Sequence, residues 1–275
     1  MNATSPIRIG AVHYLNSRPL VYRLAERASW VQVIYDVPSR LAEALAEGTL
    51  DVALVPSLES AFHPEYRIVS DACIGCRGPV LSVKLFSRVP MKEIRTLALD
   101  EGSRTSAALV QILLNKRFGL RPEVSALRLG DALETSNADA VLLIGDRAIQ
   151  SPPGRFAAVW DLGDQWLRMT GLPFVFAMWM AREAAPLTQL EELLSETRDD
   201  GVANIDEIAA EEAPALGLTE PQCRDYLRRN LHFHLGSEEQ QGLEMYLREA
   251  AALGLVPPGE GWHAHVRANG ASQAV

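Results

Sequence analysis

Between residues 7 and 55 the chain alternates short apolar runs with segments that are apolar at helical spacing. Residues 7–12, 31–35 and 51–55 read as strands. Leu20, Val21 and Leu24 give the first intervening segment a buried face, and Leu41, Ala42 and Leu45 do the same for the second. Strand, helix, strand, helix, strand of this size returns each strand parallel to the last. Such a sheet opens its ligand crevice beyond the carboxyl ends of its strands. Those ends are polar here. His13, Asn16, Ser17 and Arg18 follow the first strand, Ser39 the second and Ser57 the third. Ser17 is placed to cap a helix that has Pro19 in its first turn, and Ser39 to cap the next, which Gly48 ends.

A second centre of organisation is Leu99-Asp100-Glu101-Gly102-Ser103-Arg104-Thr105-Ser106. It ends a strand, turns at Gly102 and opens a helix with three hydroxyls. Leu109, Ile112 and Leu113 supply that helix with a buried face, and Gly119 its stop. A helix start has free N–H groups, so with hydroxyls beside it the turn suits an anion. Capping alone would need only one of Ser103 and Thr105. Ser106 and Arg104 in the same four positions add the ligand-binding reading to that one.

Further strands are expected at 78–86, where Ser82 and Lys84 share a face, at 124–129, at 138–144 and at 157–162. The run 140–144 is apolar throughout, as in a strand buried on both faces, and ends in Gly145-Asp146, with Asp146 capping the turn. Residues 174–180 read as a strand returning to the first lobe. Helices are expected at 187–197, 205–212 and 220–228, with Ser237-Glu238-Glu239-Gln240 a capping box for the last one. Residues 267–275 read as a frayed tail. The organisation implied is two α/β lobes: 1–90 with 178–275, including the helical C-terminal part, and 91–177.

The chain has 275 residues, 48% hydrophobic, enough for more than one compact core. A net charge of -9 argues against a nucleic-acid footprint. No apolar run approaches the ~20 residues of a membrane span, and residues 1–12 lack the pattern of a signal peptide. The expectation is a cytoplasmic protein with no membrane partner. Cys73 and Cys76 form a C-x-x-C among Gly75, Gly78 and Pro79, which reads as a loop with free thiols. A structural zinc needs about four ligands, and no second cysteine pair follows. His232 with His234, and His263 with His265, lack acidic or cysteine partners at metal-binding spacing, so no metal site is expected. Phosphate-loop, dinucleotide and Gly-x-Ser-x-Gly motifs are absent.

What remains is a set of hydroxyls, one amide and a few charges at strand ends: Asn16, Ser57, Ser82, Ser103, Thr105, Ser106 and Asp146. That chemistry binds a small anion and contains no evident nucleophile. His13 either serves as a base there or simply closes a strand end.

Several segments in order carry a recognisable pattern. They are 14–20 (Tyr-Leu-Asn-Ser-Arg-Pro-Leu), 38–42 (Pro-Ser-Arg-Leu-Ala), 51–57 (Asp-Val-Ala-Leu-Val-Pro-Ser), 78–83 (Gly-Pro-Val-Leu-Ser-Val), 99–106 and 139–146. Trp160-Asp161-Leu162-Gly163 and Thr170-Gly171-Leu172-Pro173-Phe174 belong with them. Together they resemble the chorismate dehydratases of the futalosine route to menaquinone. The resemblance implies a two-lobed type-2 periplasmic-binding-protein-like fold with the ligand in the interlobe cleft. It implies dehydration of chorismate without metal or organic cofactor. It also implies a catalytic role for Asn16 and substrate binding by Ser103 to Ser106, with Ser17, Arg18, Ser57, Ser82, Gly145 and Asp146 as further candidates. A sister enzyme acting on cyclic dehypoxanthine futalosine and a non-enzymatic small-anion binding protein of the same fold are the competing readings.

Overall fold

Strands β1 (Ile7–Val12), β2 (Val31–Asp36) and β3 (Val52–Pro56) lie parallel in the order β3-β1-β2, as the alternation of the first 56 residues requires. The computed structural model of the chain describes residues 6–150, 154–182 and 187–258. Within these, the first sheet continues past β3 with β10 (Phe174–Ala181), β4 (Arg67–Cys76) and β11 (His232–His234), each antiparallel to its neighbour. The second sheet has the order β7 (Glu123–Leu127), β6 (Thr96–Asp100), β8 (Ala140–Ile144), β5 (Val83–Ser87), β9 (Ala158–Asp161). β6 runs parallel to β7 and β8, and β5 is antiparallel to β8 and β9.

The chain leaves the first sheet after β4 and enters the second at β5. It returns after β9 through a helix, Leu162–Thr170, into β10. Val83–Ser87 therefore pairs within the second sheet, although it precedes residue 91, and residue 177 falls inside a strand that belongs wholly to the first. Alternating burial identifies a strand but carries no information about which sheet it joins. The Leu162–Thr170 helix escapes the sequence reading, which places a strand at 157–162 and no helix after it. Asp161 caps it by accepting from the amides of Gly163 and Asp164, and Gly171 ends it in the left-handed region.

Several local expectations are corrected. Ser17 does not cap a helix. It lies inside a 3-10 helix, Leu15–Val21, and its hydroxyl donates to the carbonyls of Val12 and Tyr14. Ser39 sits one residue inside the Pro38–Glu47 helix, whose N-cap is Val37. The helix Ser237–Ala252 has Gly236 as N-cap and no side-chain cap; the reciprocal capping box is instead made by Thr219 and Gln222. Cys73 and Cys76 are in β4, not a loop, buried and unpaired. Burial pushes the Cys76 thiol up to about 12 and the Cys73 thiol higher, so neither is a ready thiolate. The tail 267–275, His263 and His265 lie outside the described residues.

The helix Leu187–Ala203 packs on the 3-10 segment that follows β1. Contact is close because Gly201 has no side chain: a Cβ there would land on the Pro19 carbonyl. Gly201→Ala is expected to force the helix away and cost about 1–3 kcal/mol, as overpacking does. A melting curve checks this, and an unchanged Tm would show that the helix can shift freely.

Candidate active site

Val12, Pro56 and Ile144 are the last residues of β1, β3 and β8, and all three line one pocket between the two sheets. Its floor is apolar, with Ile74, Val80, Val83, Phe176 and Ala177. Its polar groups are few: Asn16, Ser82, Ser103, Ser106, and the Tyr14 and Gly145 edge.

Asn16 enters from the 3-10 turn after β1. Its Oδ1 is buried without a hydrogen-bond partner. A buried acceptor left in this condition costs about 1–3 kcal/mol, which a donor group on a ligand can recover. The residues on either side hold it in place. Ser17 ties the turn to Val12 and Tyr14, and the Leu15 amide donates to Asp146 Oδ1 at 3.0 Å. Asp146 comes from the other lobe, and burial pushes its carboxyl above the usual range. It therefore does not cap the turn after β8, where Gly145 is the N-cap and no side-chain cap forms.

The hydroxyls of the Arg104–Phe118 helix divide by direction. Ser103 caps the helix, accepting from the Ser106 amide at 3.2 Å and donating to Ser106 Oγ at 2.9 Å. The hydrogen of Ser106 Oγ is thereby left for a pocket acceptor. Thr105 is fully buried and turned to the first lobe, where its hydroxyl accepts from the Leu58 amide at 3.2 Å and lies 3.4 Å from Ser57 Oγ. Ser57 Oγ donates to the Val175 carbonyl at 2.7 Å. Thr105 and Ser57 thus join lobes and strands and are not among the residues lining the pocket.

Ser82 follows Leu81, a non-glycine residue in the left-handed region with φ 59°. Asp161 holds this turn: its Oδ1 accepts from Val80 N at 2.9 Å and its Oδ2 from Leu81 N at 2.7 Å. The same carboxylate caps the Leu162–Thr170 helix, so one side chain fixes both the helix and the segment that brings Ser82 to the pocket. Asp161 lies in one of the segments that carry the resemblance, but its hold on the turn before Ser82 was not read from the sequence; the signal available was an Asp just before a helical pattern. Gly145, with φ 71°, allows the Tyr14 ring to approach, since a Cβ would lie 3.0 Å from the ring. Burial, chiefly, raises the Tyr14 phenol to about 12, which keeps it neutral.

Arg18 and His13 lie away from this pocket. Arg18 pairs with Glu212 at 2.8 Å beside a separate outer groove, and His13 is exposed. Among the described residues that line the pocket there is no lysine or arginine. Two helix starts, at Pro38 in one lobe and Ser103 in the other, line it. Pro38 itself has no N–H and the Ser106 amide is taken by Ser103, so the first-turn amides without intrahelical acceptors are those of Ser39 and Arg40 and of Arg104 and Thr105, at the positive end of each helix dipole. No group of three His, Cys, Asp or Glu side chains that could hold a metal ion occurs among the described residues. Nor is any helix among them long and apolar enough to cross a membrane.

Residues 7–252 match the model of a family described as menaquinone biosynthesis. A chorismate dehydratase from Thermus thermophilus is 35% identical over 269 residues, covering 91% of this chain and 96% of that protein. Another, from Campylobacter jejuni, is 25% identical over 222 residues, covering 80% of this chain and 83% of that protein. Among solved structures, the periplasmic aliphatic sulphonate binding protein SsuA from Escherichia coli superposes with a TM-score of 0.60 at 16% identity, covering 93% of this chain and 90% of that one. The fold is of the periplasmic-binding-protein kind.

Asp161→Asn keeps the size of the side chain but replaces one of the two oxygens that receive the Val80 and Leu81 amides. The loss is expected to be about 1–3 kcal/mol, since a backbone N–H then faces an NH2 group. Melting curves measure the stability, and amide hydrogen exchange at Leu81 should accelerate with it; unchanged exchange would contradict the assigned role.

Proposed function

The chain belongs to the menaquinone-biosynthesis family, and from that premise we propose that it is a lyase that dehydrates chorismate to 3-[(1-carboxyvinyl)oxy]benzoate. On this reading it is a cytoplasmic enzyme of the futalosine route, acting early in menaquinone formation. The observation that carries the reading is Asn16 in a pocket lined by neutral donors and two helix starts: its buried Oδ1 awaits a donor, which the ring hydroxyl of chorismate supplies, while its NH2 group can donate to a carboxylate. Chorismate is a dianion, and its carboxylates are the acceptors such a pocket lacks. Ser106 Oγ and the amides behind it suit one carboxylate, and each charge-assisted hydrogen bond is worth about 1.5–3 kcal/mol. The apolar floor suits the ring.

The reaction must remove the proton from the ring carbon bearing the enolpyruvyl ether and expel the neighbouring hydroxyl as water. The ring becomes aromatic, so the step runs strongly downhill once it begins. The pocket lining offers no carboxylate or imidazole as base. The substrate's own enolpyruvyl carboxylate is then the acceptor: it takes the ring proton, the ring carbon–oxygen bond breaks, and the departing hydroxide takes the proton on as water. Asn16 holds that carboxylate by its amide hydrogens without neutralising it. Much of the acceleration is positional, because acceptor and proton sit in one molecule whose flexible arm is held still. The sister reaction on a nucleoside-derived futalosine would need a larger site. A pure binding protein would release its ligand unchanged.

Purified protein incubated with chorismate, with no added metal or nucleotide, is expected to yield the aromatic product, detected by its ultraviolet spectrum and mass. Unchanged chorismate in the presence of folded protein would overturn the reading. Asn16→Asp preserves size but sets a negative charge beside the substrate carboxylate. It is expected to fold with a normal melting curve and to lose at least about a hundredfold in kcat, comparable to removing one aimed hydrogen-bond donor. Near-normal turnover would remove Asn16 from the mechanism.

A further inference from the structure

One buried carboxylate beside the pocket has no part in the chemistry above. Asp100 ends β6 and is 2% exposed. Strands β6 and β8 pair at Leu97 with Ala140 and at Ala98 with Val141. Beyond that register the Asp100 side chain joins them instead. Its Oδ1 accepts from the Gly102 amide at 3.0 Å, and its Oδ2 accepts from the Ile144 amide at 3.1 Å. Arg147 Nη2 donates to the same Oδ2, and Arg147 Nη1 donates to the Asp131 carbonyl at 2.7 Å, so the carboxylate is itself pinned. The fit is close: a Cβ on Gly102 would lie 3.1 Å from Asp100 Oδ1 and 3.1 Å from the Ile144 side chain.

Each amide that Asp100 holds leads to a different end of the pocket. Gly102 precedes Ser103, which receives the Ser106 amide and donates to Ser106 Oγ. Ile144 precedes Gly145 and Asp146. The Tyr14 ring rests against Gly145, and Asp146 Oδ1 accepts from the Leu15 amide, next to Asn16. Asp100 itself does not line the pocket, yet one side chain stands behind both Ser106 and Asn16. The opposite end of the same strands offers a comparison. There Asp139 Oδ2 accepts from the Arg95 and Thr96 amides at 2.8 and 3.0 Å, and none of these three residues lines the pocket.

We propose that Asp100 is a positioning residue for substrate: by gathering the Gly102 and Ile144 amides on one carboxylate, it sets the spacing between the Ser103–Ser106 turn and the Gly145–Asp146 turn, and so between the donors that receive the two carboxylates of the substrate. The inference rests on the chorismate reading, in which Ser106 takes one carboxylate and Asn16 the other. A ligand with two anionic ends on one ring registers an error in that spacing, because it cannot satisfy both ends at once. A ligand with one anionic end does not.

The test compares a two-carboxylate with a one-carboxylate ligand. The aromatic product and benzoate are titrated by NMR into wild type, Asp100→Asn, Arg147→Met and Asp139→Ala, with a melting curve and chorismate kinetics for each. Asp100→Asn keeps the size of the side chain but sets an NH2 group against one of the two amides. It is expected to melt lower, to bind the product about tenfold more weakly and to lose a similar factor in kcat/KM, while benzoate binding stays within about twofold of wild type. Arg147→Met unpins the carboxylate and is expected to show the same selective loss, about threefold. Its side chain is only partly buried, so this variant decides the matter where Asp100→Asn does not fold. Asp139→Ala is expected to melt lower with both affinities and the kinetics unchanged. Equal losses for the two ligands overturn the proposal, as does wild-type product affinity in Asp100→Asn, or in Arg147→Met where that variant stands alone. A selective loss in Asp139→Ala also overturns it, since the effect would then belong to the sheet. An inactive wild type that binds the product overturns the chorismate reading and leaves the spacing to be read from the two ligands, whereas an active wild type whose Asp100 variant shows no selective loss overturns this inference alone.

Discussion

The first turn of the Arg104–Phe118 helix does two things at once, and the pocket depends on both. Ser103 and Ser106, three apart, share the pocket side. The two residues between them point to the other lobe. Thr105 receives the Leu58 amide, while Arg104 pairs with Glu59 at 3.1 Å and with Glu43 at 3.1 Å. Behind the turn, the Tyr246 hydroxyl donates to the Thr105 carbonyl at 2.9 Å, fastening the last helix to the same place. The two ion pairs differ in kind. Glu43 is exposed, so its pair is worth little. Glu59 is buried, burial pushes its carboxyl up, and Arg104 is the main influence opposing that shift. Removing Arg104 would strand a buried carboxylate, the costly kind of loss.

The absence of cationic side chains from the pocket lining has a chemical consequence on the proposed reading. A lysine or arginine against the enolpyruvyl carboxylate would hold the substrate more tightly, but it would also lower that group's basicity. Amide and hydroxyl donors fix position with less effect on charge. The cations near the site are engaged elsewhere. Arg18 faces Glu212, and Lys84 donates to the Ile149 carbonyl at 3.1 Å while burial lowers its pKa.

The strands and their polar ends were legible because period and length are local properties. β1, β2, β3, β6 and β8 all fall where apolar runs meet turn residues. The helix of residues 104–118 was readable at both ends, with Ser103 as its cap and Gly119 as its stop. Less legible was what each hydroxyl does. Ser17, Ser39, Ser57 and Thr105 have the chemistry of ligand donors, but their directions depend on tertiary contacts that no spacing encodes. The capping pattern at Ser237 illustrates the same limit: the sequence fits, yet Gly236 takes the cap position and Glu239 is drawn inward to Arg77 at 2.8 Å. Cys73 and Cys76 looked like loop residues because glycines surround them, although β4 continues through Gly75. The role of Asp161 at the Val80–Ser82 turn was not legible, since it depends on contacts with residues some eighty positions earlier in the chain.

Supports of this kind also bear on how a ligand enters. The bond from Leu15 to Asp146 and that from Leu58 to Thr105 both run between the lobes, beside the two polar ends of the pocket. A cleft that opens by lobe rotation must break them. Each is a single backbone donor meeting a side-chain oxygen, and a typical hydrogen bond contributes only about 0.5–1.5 kcal/mol net, somewhat more when the acceptor is charged. Parting the lobes at Thr105 also separates Arg104 from the buried Glu59, so the helix start is held more firmly than the Leu15–Asp146 side. Asn16 and Ser106 sit directly beside these bonds in sequence, so the same contacts that join the lobes hold the two pocket donors in place. Binding energy from the carboxylates can then be spent on holding the acceptor and the ring proton together, which is where a site without its own base needs it.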